Sequence, residues 1–566
     1  MTVKKLMVIG LDGATWHLLD PWIKAGYLPN LAALRARGAS GPLASVIQPL
    51  SSAAWTSFLT GMNQGKHGIF DFVRRKADTY ALELTDATMI QAPTLFEYLG
   101  QAGLRLASIN MPFTFPVWPV QGVMVAGPFA PSLGPMITHP PGLWDELHKA
   151  VPDYEILPDY DARAKDPEAK LAADLVRCVS NRTRAAEFVL EREAWDVFMV
   201  VYTSTDQVQH AFWHYLPETL AQAVPDTSPM NAPPRLRDAI LAVYREVDAG
   251  IGRLLQHVEP ETPIIVLSDH GAGRLDWWVH LNAWLAQQGY LVYQRQARTS
   301  VRGRLTHMAT QLIKIYSRAV PQPIRRQIRI LLGKHFSTIK ERLETSALTG
   351  SVDWSRTRVY ALGSGDIYVN MRGREPQGIV SPGPEYESLR DEVIAGFQRL
   401  TTPDGRPLVE HIYRREALYQ GEHAQHGPDL TVVLADHRFH PLARFAASEA
   451  MFEDPRRWRF DARPLTGGHR LKGIIILAGD GVQAGAELEG ARLIDLAPTI
   501  LAWLGLPVPE QMDGRALVNA FRPEAEIAGT IKSISDVRLQ LPGQTTVYSE
   551  EEKAAIEQHL SELGYL

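Results

Sequence analysis

Hydrophobic positions in this chain fall into two alternating kinds of segment. Short, almost wholly apolar runs recur at 5–11 (KLMVIGL), 195–202 (WDVFMVVY), 263–268 (PIIVLS) and 473–479 (GIIILAG). Runs of this length, apolar at nearly every position rather than every second one, predict strands buried on both faces, as in a parallel sheet. Between them lie longer stretches with apolar residues every three or four positions. Those at 53–60, 172–191, 235–257 and 495–507 predict helices, and 549–563 predicts a last one. Residues 104–127 read as strand, proline-punctuated loop and strand, and 130–170 as irregular connecting chain. The stretch 352–436, with RVYALGSGDIYVNMRG and DLTVVLAD, predicts hairpins that continue the sheet. Strands alternating with helices predict an α/β fold, an α/β/α sandwich around a central, mostly parallel sheet.

The polar residues that interrupt this pattern stand at the strand ends. KLMVIGL stops at Asp12, and PIIVLS stops at Asp269-His270 before a glycine turn at Gly271 and Gly273. Ligands in open α/β sheets collect outside the carboxyl ends of parallel strands, so carboxylates and imidazoles delivered there are placed for chemistry. The plainer alternative for Asp12 is a cap on the next helix, since Asp is a favoured N-cap. WDVFMVVY runs into TSTDQVQH, where Asp206 and His210 are four apart and share one helix face, a spacing that grips a cation. His214 lies one turn further along that face. Ser51 and Ser52 open the helix-compatible run that Gly61 closes. A serine there serves as a cap, or as a nucleophile where backbone N–H groups and the helix dipole favour an anion. His67 and Asp71 read as turn and packing residues, and Asn110 as an Asx turn. His469, between glycines in GGHR, has no evident packing role and is a ligand candidate.

Composition narrows the chemistry. The chain has 566 residues, 45% hydrophobic, with a formal charge of −5, so it buries a large core and gives no overall case for nucleic acid as a stable partner. A single cysteine, Cys178, excludes internal disulfides and thiolate clusters; any metal must be held by Asp, Glu and His. No stretch reads as a signal peptide or membrane span, which predicts a cytoplasmic protein. Residues 1–290 and 351–525 read as two parts of one core, 291–350 as a basic helical insertion and 526–566 as a tail. From Arg295 to Arg342 there are twelve Lys or Arg residues against one acid, Glu341. This segment is either a solvated cover or a basic lid for anionic substrates, with peripheral membrane contact through 295–342 as a further role.

Asp12, Ser51, Asp206, His210, Asp269, His270 and His469 together suit two zinc-like divalent ions sharing a nucleophile, a set that serves phosphoryl transfer. The chain resembles the alkaline phosphatase superfamily, most closely its type I phosphodiesterase/nucleotide pyrophosphatase branch. The resemblance is carried by GLDGA at 10–14, the serine ten residues before the glycine of FLTG, KHGIFDF, TSTDQVQH, SDHGAG, GGHRLKG and LIDLAPTILAWLGLP, in the family's order. It implies one ion on Asp206, His210 and His469, and another on Asp12, Asp269, His270 and the Ser51 oxygen. It also implies that Ser51 attacks a small-molecule phosphate ester to form a phospho-enzyme that water hydrolyses. Zinc is the expected metal, with manganese or iron as alternatives. Nucleotide pyrophosphatases usually carry threonine where Ser51 stands. Ala53 and Trp55 replace the proline and arginine of the sulfatase pattern, which argues against a sulfatase. Phosphomonoesterase or phosphotransferase activity, or a catalytically silent binding role, are the competing readings.

Overall fold

The computed structural model describes residues 5–217, 234–294 and 351–525, except for 77, 159, 162–163, 444, 446–449 and 456–464, and scattered positions beyond 526. The basic segment 295–342 and most of the predicted helix 549–563 lie outside the described residues.

The apolar runs form the middle of a nine-stranded sheet. Its order is Ala491–Arg492, Ala39–Ala44, Lys472–Ala478, Ile264–Leu267, Leu6–Leu11, Val197–Tyr202, Leu106–Met111, Gly122–Ala126 and Thr138–His139. The five strands from Ile264–Leu267 to Gly122–Ala126 are mutually parallel, and Lys472–Ala478 runs antiparallel between Ile264–Leu267 and Ala39–Ala44. Successive side chains of a strand face opposite ways, and both ways are buried here. Met7, Ile9 and Leu11 join a core with the helices Pro29–Ala36, Pro167–Arg192 and Ala239–Leu254. Leu6 and Val8 join another with Ser51–Thr60, Leu95–Gln101 and Leu496–Trp503. That double burial is why the runs are continuous rather than alternating.

Several element boundaries differ from the sequence reading. The helix expected at 172–191 spans Pro167–Arg192, because Asp166 accepts from the Ala169 N–H and Pro167 suits the first turn. The stretch 130–170 contains a helix, Leu143–Ala150. The predicted 235–257 helix is divided into Pro234–Arg237 and Ala239–Leu254 with a closing turn at Leu255–His257.

The stretch 352–436 does not continue the central sheet. Val359–Leu362, Asp366–Val369, Leu430–Leu434 and Val409–Arg414 pair antiparallel in a separate four-stranded sheet. Its apolar face packs on Tyr386, Leu389, Val393 and Phe397 of the helix Pro384–Gln398, forming a third core. The central sheet's edges are already taken by Ala491–Arg492 and Thr138–His139. The second sheet instead meets the segment leading to Ser51, where Gln48 Nε2 donates to the Val432 carbonyl at 2.7 Å.

Candidate active site

All seven sequence-selected residues converge at the carboxyl ends of the central strands. Asp12 follows Leu6–Leu11 directly. It does not cap the next helix, which begins at Trp16. Its carbonyl accepts from Thr205 Oγ1 at 2.6 Å, and Trp55 Nε1 donates to its Oδ2 at 3.4 Å. Asp206 and His210 lie on the helix Ser204–Phe212, which starts just past Val197–Tyr202, with Asp206 Oδ1 3.3 Å from His210 Nε2. The helix ends before His214, whose Nδ1 lies 2.9 Å from Thr466 Oγ1. It therefore braces the approach to His469 from outside the cluster. Asn110, with φ of 59°, closes no local turn; its Nδ2 donates to the Val201 carbonyl at 2.8 Å.

The glycines after Asp269-His270 form a strand, not a turn. Gly271–Arg274 pairs antiparallel with Gly467–Arg470, bringing Ala272 opposite His469. A Cβ at Gly271 would lie 2.1 Å from the Lys472 carbonyl oxygen, so Gly271 serves close approach of backbones, while Gly273 lies against the Arg470 side chain.

Ser51 is the first residue of the helix Ser51–Thr60. The residue before it, Leu50, is extended, and no side chain caps this end. The Ala54 N–H makes the first helical bond, to the Leu50 carbonyl, so the earlier N–H groups are open to an anion. Ser51 Oγ lies 3.2 Å from His270 Nε2. Ser52 is buried at 1% exposure and its hydroxyl makes no hydrogen bond among the described residues. His67 and Asp71 are buried in packing positions, His67 Nε2 lying 2.9 Å from Ser57 Oγ.

The imidazoles are oriented by the backbone. His210 Nδ1 meets the Gly467 carbonyl at 2.8 Å, His469 Nδ1 the Pro49 carbonyl at 2.7 Å, and His270 Nδ1 the Gly271 carbonyl at 3.0 Å. A carbonyl only accepts, so each Nδ1 carries a proton and each ring turns its Nε2 away from that carbonyl. Those Nε2 atoms face one another and the carboxylates. His210 Nε2 and His469 Nε2 are 3.0 Å apart, and Asp206 Oδ1 is 3.5 Å from His469 Nε2. His270 Nε2 is 3.4 Å from Asp269 Oδ2 and 3.6 Å from Asp12 Oδ1. Asp12 Oδ1, Asp206 Oδ1 and Asp269 Oδ2 are buried without a hydrogen-bond partner among the described residues. Acceptors gathered in this way suit a cation. Ligand atoms of Asp206, His270 and His469 lie within 4.8 Å of one another, as do those of Asp12, Asp269 and His270, so both groups can hold an ion and His270 belongs to both.

Burial, and then the carboxylates of Asp269 and Asp206, raise the Asp12 carboxyl well above its ordinary range. Burial also raises Asp269, against the pull of His270. Asp206 is buried too, but His210 and His469 override that and hold it well below the usual range. Burial, with His270 second, pushes the His469 imidazole down to about 3.

The sequence model of the type I phosphodiesterase / nucleotide pyrophosphatase family matches residues 6–489. The chain belongs to this family. Type I phosphodiesterases / nucleotide pyrophosphatases are metal-dependent phosphoester hydrolases, and the two groups around His270 are candidate sites for such a metal. Among curated proteins, this family member is similar to 2,3-bisphosphoglycerate-independent phosphoglycerate mutases of Cereibacter sphaeroides. One of these is 46% identical over 61 residues, 10% of this chain. The chain spans only 12% of the length of that mutase. Among solved structures, phosphonoacetate hydrolase from Sinorhizobium meliloti 1021 with phosphonoacetate aligns with a TM-score of 0.49 and 16% identity, covering 88% of this chain and 94% of the hydrolase. Human ectonucleotide pyrophosphatase / phosphodiesterase 5 aligns with a TM-score of 0.47 and 13% identity, covering 92% of this chain and 99% of that one.

Proposed function

We propose that this protein is a two-metal phosphohydrolase that cleaves a small-molecule phosphate diester or pyrophosphate through a covalent intermediate on Ser51. The observation that carries this reading is the set of three Nδ1-anchored imidazoles facing three buried carboxylates beside the Ser51 hydroxyl. In the proposed assignment Asp206, His210 and His469 hold one divalent ion. Asp12, Asp269, His270 and the Ser51 oxygen hold the other. Mixed carboxylate and imidazole donors without a thiolate favour zinc, with manganese or iron next. When bound, the ions supply Lewis acidity that offsets charge on the phosphoryl oxygens and makes the serine hydroxyl easier to deprotonate.

The chain's own groups do the rest. The open N–H groups at the start of Ser51–Thr60 receive a phosphoryl oxygen, and the helix dipole favours its charge. As the Ser51 hydroxyl gives its proton to solvent, its Oγ bonds to phosphorus while the bond to the leaving oxygen breaks and that oxygen takes up a proton; water then cleaves the phosphoserine, which restores the serine hydroxyl and releases the phosphate product. One cysteine, buried at Cys178, suits a cytoplasmic setting, and no helix among the described residues is long and apolar enough to cross a membrane.

Ser51→Ala should fold and retain most of its metal while hydrolysis of bis-nitrophenyl phosphate falls by at least about a thousandfold. A near-normal rate in that variant would rule out the serine route. Comparing the diester with nitrophenyl phosphate separates diesterase from monoesterase. Phosphoryl transfer to a second hydroxyl is the alternative favoured by the local match to mutases, and phosphorylated product formed from an added alcohol would reveal it.

A further inference from the structure

The two ligand groups lie on different segments, and one side chain between them is unexplained by the chemistry above. Gln209 sits on the helix Ser204–Phe212 between Asp206 and His210 and is 1% exposed. Glutamine is ordinarily a surface residue, and burying its amide costs free energy unless it is bonded. Its Nε2 donates to the Gly13 carbonyl at 2.9 Å and, back along the helix, to the Thr205 carbonyl at 2.9 Å. Two carbonyl acceptors fix the amide orientation, with the NH₂ toward Gly13.

Each neighbour of Gln209 carries a ligand. Gly13 follows Asp12, its N–H donates to Asp269 Oδ1 at 3.4 Å, and its φ is +69°. A Cβ on Gly13 would lie 2.9 Å from Asp206 Oδ1 and 3.1 Å from Gln209 Nε2, so the Asp12 loop and this helix are in direct contact. The Gln209 carbonyl is held equally close to Gly467, two residues before His469: a Cβ on Gly467 would lie 2.3 Å from it. Gln209 thus touches the Asp12 loop with its side chain and the His469 strand with its main chain, and it lies next to His210.

We propose that Gln209 is a positioning residue that sets the spacing between the two metal-binding groups by tying the Asp206–His210 helix to the Asp12–Gly13 loop. This rests on the two-ion reading above. Side chains that orient ligands from behind typically change metal affinity or activity by about 10–100-fold when lost. Without the bond to Gly13 the helix and the loop keep the Thr205–Asp12 bond but lose the one that fixes Gly13, and the coordination that needs both groups is weakened first.

The test compares wild type, Gln209→Met, which keeps the volume but donates nothing, and Gln209→Glu, which presents acceptors to both carbonyls. Zinc is titrated against a chromophoric chelator, the visible spectrum of the cobalt-loaded protein is recorded, and melting of the metal-free protein is followed by circular dichroism. Both variants are expected to fold, to bind one of the two ions about 10–100-fold more weakly than wild type and to show an altered cobalt spectrum. Turnover should drop with little change in KM. Variants that bind both ions with wild-type affinity and spectrum overturn the proposal, whether or not they melt earlier, because a glutamine that only supports the fold moves melting and nothing else. Loss of cooperative folding in both variants overturns it too. A wild-type protein that takes up fewer than two ions instead sinks the two-ion reading, and the proposal with it.

Discussion

Three carboxylates and three imidazoles share one buried volume, and without a cation their protons must offset the crowding. Asp12 and Asp269 are both shifted upward by burial, so each holds its proton to a higher pH than an exposed aspartate. Binding a divalent ion needs them ionised, so uptake expels protons and competes with acid. Zinc titrations by calorimetry in buffers of different ionisation enthalpy should show net proton release, with apparent affinity falling as pH is lowered. Uptake with no proton exchange would contradict the shifts. The residues of this cluster were legible in sequence because strand ends announce Asp12 and Asp269-His270, and four-residue spacing announces Asp206 and His210. Gln209 was not. Nothing local marks a glutamine whose partner, the Gly13 carbonyl, lies 196 positions away. Thr205, bonded to the Asp12 carbonyl, was hidden for the same reason.

Among the elements, the two-stranded ribbon of Gly271–Arg274 and Gly467–Arg470 joins Asp269-His270 to His469. Its sequences, GAGR and GGHR, look like turns because glycine is the commonest turn residue. Here glycine instead lets backbones nearly touch, a tertiary demand that no local pattern reveals. Gly271→Ala, whose new Cβ would meet the Lys472 carbonyl at 2.1 Å, should cost about 1–3 kcal/mol in denaturant unfolding and lower zinc occupancy as the ribbon shifts. Unchanged stability and occupancy would mean that the ribbon adapts freely. Helix ends were less legible than helix cores. The apolar period weakens in the first turn of Pro167–Arg192, whereas Asp166 and Pro167 mark its start by capping chemistry.

At the scale of the molecule, the alternation of strand and helix was enough to infer the sandwich, but not that 352–436 folds into its own sheet. Hairpin patterning fixes local pairing and is silent on which sheet receives it. The two bodies meet at a pair of buried acids, Asp71 from the KHGIFDF loop and Asp366 from the second sheet. Burial pushes Asp71 up to about 7, and burial followed by Asp71 raises Asp366 well above the usual range. Groups raised in this way bind more protons folded than unfolded. Their stabilising contribution is therefore full below about pH 4 and is lost as pH climbs through about 7. The metal-free protein should melt lower at pH 8 than at pH 5, and Asp71→Asn should flatten that fall by at least about 2 °C. An unchanged slope would assign the pH dependence to other groups. The sheet order also governs how the chain is made. Lys472–Ala478 fills the place between Ile264–Leu267 and Ala39–Ala44, yet it leaves the ribosome long after both. At about 5–20 residues per second, the newborn chain spends many seconds with two apolar strands offering unpaired edges. Until Lys472–Ala478, in the last sixth of the chain, arrives to close the gap, those edges are open to pairing with other chains.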